Sequence, residues 1–372
     1  MSTQLEELLR ERIERTGPMP FAAFMSLALY HPKHGYYTGG AQRTGWRGHF
    51  LTSAELDPAF GAMWAKGFEE IWIACGQPSG FHVVEVGPGE GGFAEAVLDH
   101  VTGDFAGALS YVMVERVSAV AQRQRARLKN RSGVTWTGSL DEVTGFGHGC
   151  VFANEVLDNL PVHLVEQRHG ELLELCVEVA DEAFVMTRRP PPQPELAAFL
   201  DRAGIELADG HRYEVELAVE SLIDRAAGLM DKGACVFIDY GADARSLAER
   251  PGGSLICYSN KGVDTEPLES VGDKDITVHV NWTIVGAALR TAGMRVVGPK
   301  PQRSVLRGLG LVDHDDALRV EHQTAVGERR GADAVRALSR RQALGALADP
   351  AGLGGLDVVV GLRGIEPPDF LT

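Results

Sequence analysis

An α/β fold built on a parallel, doubly wound sheet is expected from three observations on this chain. Residues Val83 to Phe93 read V-V-E-V-G-P-G-E-G-G-F, a short β-branched run that enters a glycine-dense turn and opens a helical pattern at Phe93. Strand-like and helix-like segments then alternate as far as residue 155. Polar residues stand at the carboxyl ends of the strand-like runs, at Glu85, Glu115 and Asn154-Glu155. Open α/β sheets collect their ligands at that rim.

Each element has its own local signature. Thr3 and Glu6 form a capping box ahead of a helical stripe of Leu5, Leu8, Leu9 and Ile13, and Thr16-Gly17-Pro18 stops it. The glycine-rich insert from His34 to Ser53, with Tyr36, Tyr37, Trp46 and Phe50, has the composition of a pocket-capping loop. Residues 1–80 thus read as an N-terminal helical extension, and 81–372 as one α/β domain. In it we expect strands at 82–86, 109–114, 134–136 and 150–153, with helices from about residue 92 and up to Leu128. His163 to Arg168 and Leu172 to Val179 flank His169-Gly170 as a hairpin, and the proline-rich run from Arg188 to Pro194 is stiff and extended. This segment, about 163–215, reads as an insertion. Leu217 to Met230 is amphipathic, Ala234 to Asp239 is a buried strand, and Asn281 to Thr291 is helical. Asp357 to Val360 is a late strand that closes the sheet.

Composition excludes several classes of function. The formal net charge of −15 repels phosphate backbones and disfavours a nucleic-acid partner. No apolar run approaches the roughly 18 to 20 residues of a membrane span. The acidic N-terminus lacks the basic start and apolar core of a secretory leader. The five cysteines show no C-x-x-C spacing, which argues against zinc and, with the rest, predicts reduced core cysteines and a cytoplasmic location. His31, His34 and His49 fit no metal-ligand spacing, so no metal is expected.

The glycine turn satisfies two patterns. Gly87, Gly89 and Gly92 spell G-x-G-x-x-G, a dinucleotide fingerprint. Glu85, Gly87, Gly89 and Gly91 spell acidic-x-G-x-G-x-G, in which the leading carboxylate would repel a pyrophosphate and favour the positive sulfonium of S-adenosylmethionine. Glu115, at the end of the second strand, can accept hydrogen bonds from ribose hydroxyls in either cofactor. Asn154, Glu155 and Asp158, ahead of Leu160-Pro161, cluster three polar groups after the fourth strand. Methyl transfer calls for such a cluster, because it must align a polar nucleophile with the donor. Taken as structure alone, the same residues make a helix cap and a solvated acid.

Several blocks in order resemble the MidA-like family of class I S-adenosylmethionine-dependent methyltransferases, which includes a mitochondrial complex I assembly factor that methylates protein arginine. They are Phe24-Met25 with Ala28 to Pro32 and Gly35 to Tyr37; Phe50, Thr52-Ser53, Glu55 and Phe60-Gly61; and Glu85 to Gly89, with Pro88. Glu115 and Gln124, Ala153 to Glu155 with Asp158 and Leu160-Pro161, Asp239 to Gly241, and Asp275 to Thr277 complete the match, which spans about 18 to 364. The chain departs from the family at four sites: His49 in place of an acid, Ala54 in place of proline, Lys261 in place of histidine, and the pair Asn281-Trp282 in place of an acidic-aromatic pair.

The resemblance implies a Rossmann-like methyltransferase sheet with helices on both faces and inserted elements. It implies S-adenosyl-L-methionine held by Glu85, Gly87, Gly89 and Glu115, with Thr52 and Ser53 nearby. It also implies an active-site lining from Asn154, Glu155 and Asp158, and a protein substrate methylated on a side-chain nitrogen, arginine first. Two other readings stand beside it: a cofactor-binding assembly protein with little catalysis, and a nicotinamide-dependent oxidoreductase.

Overall fold

A computed structural model describes residues 3–38, 52–191 and 193–372. Most of the expected capping insert, including Trp46, His49 and Phe50, lies outside the described residues. The central sheet has seven strands: β1 (Phe81–Val86), β2 (Leu109–Val114), β3 (Val134–Thr137), β4 (Phe146–Asn154), β5 (Met230–Asp239), β6 (Arg295–Pro301) and β7 (Asp357–Arg363), in the order β3-β2-β1-β4-β5-β7-β6. The first five pair in parallel, whereas β7 runs antiparallel to both neighbours. The expected late strand therefore does not close an edge. It inserts between β5 and a strand at Arg295–Pro301 whose exposed, proline-containing sequence gave no alternation to read.

Strand alternation divides the core into two layers. Val83, Tyr111, Met113, Cys150, Phe152 and Val236 point to one side, where the helices Ala59–Ala74, Gly92–His100 and the pair Leu311–Gly327 and Gly331–Ala348 cover them. Val84, Val112, Val151, Cys235 and Phe237 point to the other, under the helices Leu217–Gly228 and Trp282–Thr291. Phe93 stacks on Phe152 with ring centroids 4.8 Å apart, which fixes the helix after the glycine turn against β4.

A second sheet forms from Met19–Pro20, His163–Arg168, Glu171–Ala180, Ala183–Arg189 and Arg212–Val215. Its first hairpin pairs Leu164 with Leu175 and turns through His169 and Gly170, both at positive φ. A further hairpin, turning at Asp181-Glu182, runs into the proline-rich stretch, so that Arg188-Arg189 belong to a strand and Pro194 starts a helix. Met19 and Pro20 pair with Val177 and Cys176, and the N-terminal helices Gln4–Thr16 and Phe21–Tyr30 share a core with Val162, Leu175 and Ile276. All five cysteines are buried and unbridged.

Candidate functional site

The carboxyl ends of β1, β2 and β4 open into a cavity of about 590 Å³. It is lined by Glu85, Gly87, Pro88 and Gly89, by Glu115, by Asn154, Glu155 and Asp158, and by Thr52. Nine of the eleven residues expected in the site thus line one cavity. Gly91 and Ser53 stand behind it. Gly91 caps the helix Gly92–His100 in a left-handed conformation (φ 79°), and Ser53 is buried.

The turn is narrow because its backbone must be. Gly87 and Gly89 hold φ at 64° and 52°, a region costly to residues with a Cβ. A Cβ on Gly87 would lie 2.8 Å from Val156 Cγ2. Gln124 ties the turn to the next strand: its Nε2 donates to Gly89 O (2.7 Å) and Glu115 Oε2 (3.3 Å), while Trp136 Nε1 donates to its Oε1 (3.1 Å). The other oxygen of Glu115 accepts from Val117 N at 2.7 Å. Burial pushes the Glu115 carboxyl up to about 7, against the pull of these donors. Under the turn, Glu85 accepts from the Tyr111 hydroxyl at 2.8 Å, and burial again pushes it up, to about 8.

At the end of β4 the chain makes a second constrained turn. Glu155 has φ 53°, and its Oε1 accepts from Ser53 N (2.9 Å) and Asn154 Nδ2 (3.0 Å). Glu155 Oε2, Asp158 Oδ1 and Asn154 Oδ1 are buried with no hydrogen-bond partner among the described residues. Burial, with Asp239 beside it, pushes Glu155 up to about 8. Asp239 accepts from the backbone N–H groups of Val156, Leu157 and Asp158 (2.9–3.2 Å) through one oxygen and of Tyr240 (2.9 Å) through the other. These four donors stabilise its charge, so of the two coupled acids Asp158 is the one that retains the proton. Asp158 is held well above the usual carboxylate range by burial and then by Asp239, Asp275 and Glu155.

The rest of the site is assembled from distant segments that local patterns leave unread, although Tyr37, Asp239 and Asp275 fall in the family-like blocks. The Tyr37 hydroxyl donates to Asp275 at 2.9 Å, and Asn159 Nδ2 donates to the same carboxylate at 2.9 Å. Tyr30 donates to Asn159 O (3.2 Å) and stacks on Tyr37, and the Arg116 guanidinium lies 4.1 Å over the Tyr30 ring. Two further arginines at the lining, Arg123 and Arg225, pair with Glu90 and Asp141. Among the described residues, eight carboxyl groups thus line the cavity against three arginines. A cationic ligand that brings its own N–H groups fits this lining, because its charge draws the raised acids into their carboxylate forms.

Two of the departures have a structural account. Asn281 caps the helix Trp282–Thr291 through Thr283 N and Ile284 N, and its Nδ2 donates to Tyr213. Its backbone N–H meets Glu216, so an acid at 281 would add a second buried carboxylate there. Lys261 is exposed in the turn between Ile256–Ser259 and Gly262–Asp264, away from the cavity lining.

Comparison with known proteins agrees with this geometry. Residues 63–300 match the sequence profile of a family of S-adenosyl-L-methionine-dependent methyltransferases. The mitochondrial protein arginine methyltransferase NDUFAF7 homolog of Drosophila melanogaster is 30% identical over 332 residues, covering 80% of this chain and 73% of its own. The mitochondrial protein arginine methyltransferase NDUFAF7 of Danio rerio is 28% identical over 339 residues, covering 82% and 76%. A structure from Burkholderia thailandensis with S-adenosyl-homocysteine bound superposes with a TM-score of 0.85 at 30% identity, over 99% of this chain and 94% of that one. The bound S-adenosyl-homocysteine sets aside the nicotinamide reading. The expected cytoplasmic location is corrected by the curated relatives, which are named mitochondrial. Buried, unbridged cysteines do not distinguish the cytoplasm from a mitochondrial compartment.

Proposed function

This chain belongs to that family of S-adenosyl-L-methionine-dependent methyltransferases, and from this premise we propose that it methylates a guanidinium nitrogen of arginine in a protein substrate. The observation that carries the reading is the set of orphaned buried acceptors Asn154 Oδ1, Glu155 Oε2 and Asp158 Oδ1 at one wall of the cavity. A guanidinium offers five N–H donors in a fixed plane, which matches several converging acceptors better than an ammonium does.

The cofactor residues in this reading are Glu85, Gly87, Pro88, Gly89 and Glu115, with Gly91 and Thr52 to Ser53 shaping the wall. When bound, S-adenosyl-L-methionine supplies an electrophilic methyl group on a positive sulfonium. Glu155 and Asp158 hold the guanidinium through charge-assisted bonds and fix its plane. Its positive charge lowers their raised pKa values and draws them into the carboxylate form. One of the two then takes the proton that the nitrogen releases as the new C–N bond forms. Asp239 and Asp275 stay bonded to protein donors, and burial raises each to about 7.

Tritiated S-adenosyl-L-methionine, incubated with the protein and a lysate of cells lacking it, tests the reading when labelled amino acids are separated after hydrolysis. Label in methylarginine is expected. Label confined to lysine, nucleic acid or small molecules would overturn it. Glu155→Gln should lower incorporation by about a hundredfold or more while S-adenosyl-homocysteine affinity stays within about twofold.

A further inference from the structure

Residues 52–57 run along the cavity, and their side chains divide by face. Thr52, Ala54 and Glu55 line the cavity, while Ser53 and Asp57 are buried. Both buried residues are held from the far end of the sequence. Gln302 Nε2 donates to Ser53 Oγ at 2.9 Å, and Arg340 grips Asp57 with two bonds of 3.0 and 3.2 Å. Gln302 opens the helix Gln302–Gly308 that follows β6, and Arg340 lies in Gly331–Ala348, the second arm of the helical pair between β6 and β7. Gln302 is itself fully buried and immobilised: Nε2 also donates to Leu353 O (2.7 Å) and its backbone N–H to Leu356 O (2.7 Å).

The strap contributes one bond to the chemistry. Ser53 N donates to Glu155 Oε1, which it shares with Asn154 Nδ2, and these two donors decide where the orphaned Oε2 points. The helix within the strap, Ser53–Leu56, is four residues long and too short to hold itself in place. Its placement therefore depends on tertiary contacts: Leu56 in the core and the anchors at its two ends.

We propose that Gln302 and Arg340 are positioning residues for methyl transfer, acting through residues 52–57 on the Glu155 carboxylate. The proposal rests on the reading of Glu155 as a holder of the substrate guanidinium. Neither anchor is among the described residues that line the cavity, so both act through the residues between. Misplacing a reactive group by about 1 Å can lower a rate by about a hundredfold, which sets the scale of the effect.

The test uses the full-length protein, tritiated S-adenosyl-L-methionine and the lysate described above, with S-adenosyl-homocysteine as the binding probe. Arg340→Ala and Gln302→Leu should keep S-adenosyl-homocysteine affinity within about twofold, lose about ten- to a hundredfold in rate at saturating cofactor, and displace the pH–rate profile. Arg340→Lys should recover only part of the rate, because lysine cannot reproduce the two-bond grip. Arg340 is partly exposed, so its substitution decides the matter even where Gln302→Leu fails to fold. A folded Arg340→Ala variant with the parent's rate and pH profile overturns the proposal. So does a loss of rate that merely tracks lost cofactor affinity. An active Glu155→Gln variant would instead remove the reading beneath it, which keeps the two failures apart.

Discussion

The backbone of Glu155 decides where its carboxylate stands. Positive φ at a glutamate is uncommon, and here it aims a carboxylate at the cavity from the end of a buried strand. The same placement makes the cofactor-free protein sensitive to pH. Glu85 and Glu155 are raised to about 8 and Glu115 to about 7, all from 4.5. The native state therefore binds more protons than the unfolded chain between those values, and stability is lost as pH rises through them. The thermal midpoint should be lower at about pH 8.5 than at about pH 6.5, and S-adenosyl-L-methionine should narrow the gap by supplying positive charge. A midpoint that climbs across that range would refute the assignment. Glu115→Ala should weaken S-adenosyl-homocysteine binding by about 1–3 kcal/mol in calorimetry, the worth of hydrogen bonds to a charged group. Asn154, Glu155 and Asp158 were legible because they follow a strand within a few residues. Gln302 was not, because its bond to Ser53 spans 249 positions and leaves no local trace.

At the scale of elements, the glycine turn carries the sharpest prediction. Gly87→Ala combines a left-handed alanine, at about 1–2 kcal/mol, with a collision against Val156. The variant should lose the thermal shift produced by S-adenosyl-homocysteine. Adding Val156→Ala should restore part of it by removing the steric conflict while the backbone strain remains. Full binding by Gly87→Ala alone would show that the turn is not the cofactor's seat. Strand, turn and helix at 81–100 could be read in advance because β-branched residues, glycines and helical spacing follow one another without a break. β6 could not, since its side chains are mostly exposed and its partner β7 lies some sixty residues on. The second hairpin, at 181–182, was hidden because its turn uses Asp181 and Glu182 at positive φ instead of glycine.

Over the whole molecule, we propose that the segment before residue 81 is inseparable from the methyltransferase domain even though its sequence reads as an extension. The helix Ala59–Ala74 buries Phe60, Met63, Trp64, Phe68, Ile71 and Trp72 in the core shared with β1 and β4. At about 1.5–3 kcal/mol for each large side chain, their loss approaches or exceeds the 5–15 kcal/mol of a typical domain. A chain of residues 81–372 should be insoluble or lack near-ultraviolet dichroism, and a soluble, cooperatively melting fragment would contradict this. The five enclosed thiols give the intact chain a built-in chronometer. Burial pushes Cys75 and Cys176 up to about 11 and Cys235 and Cys257 up to about 12, so an alkylating reagent can mark them only while the surrounding structure has opened. Cys150 and Cys235 lie in β4 and β5, whereas Cys176 pairs with Pro20 and Cys257 shares the core of the N-terminal helices. The order in which these sulfurs react will therefore reveal which half of the protein breathes first.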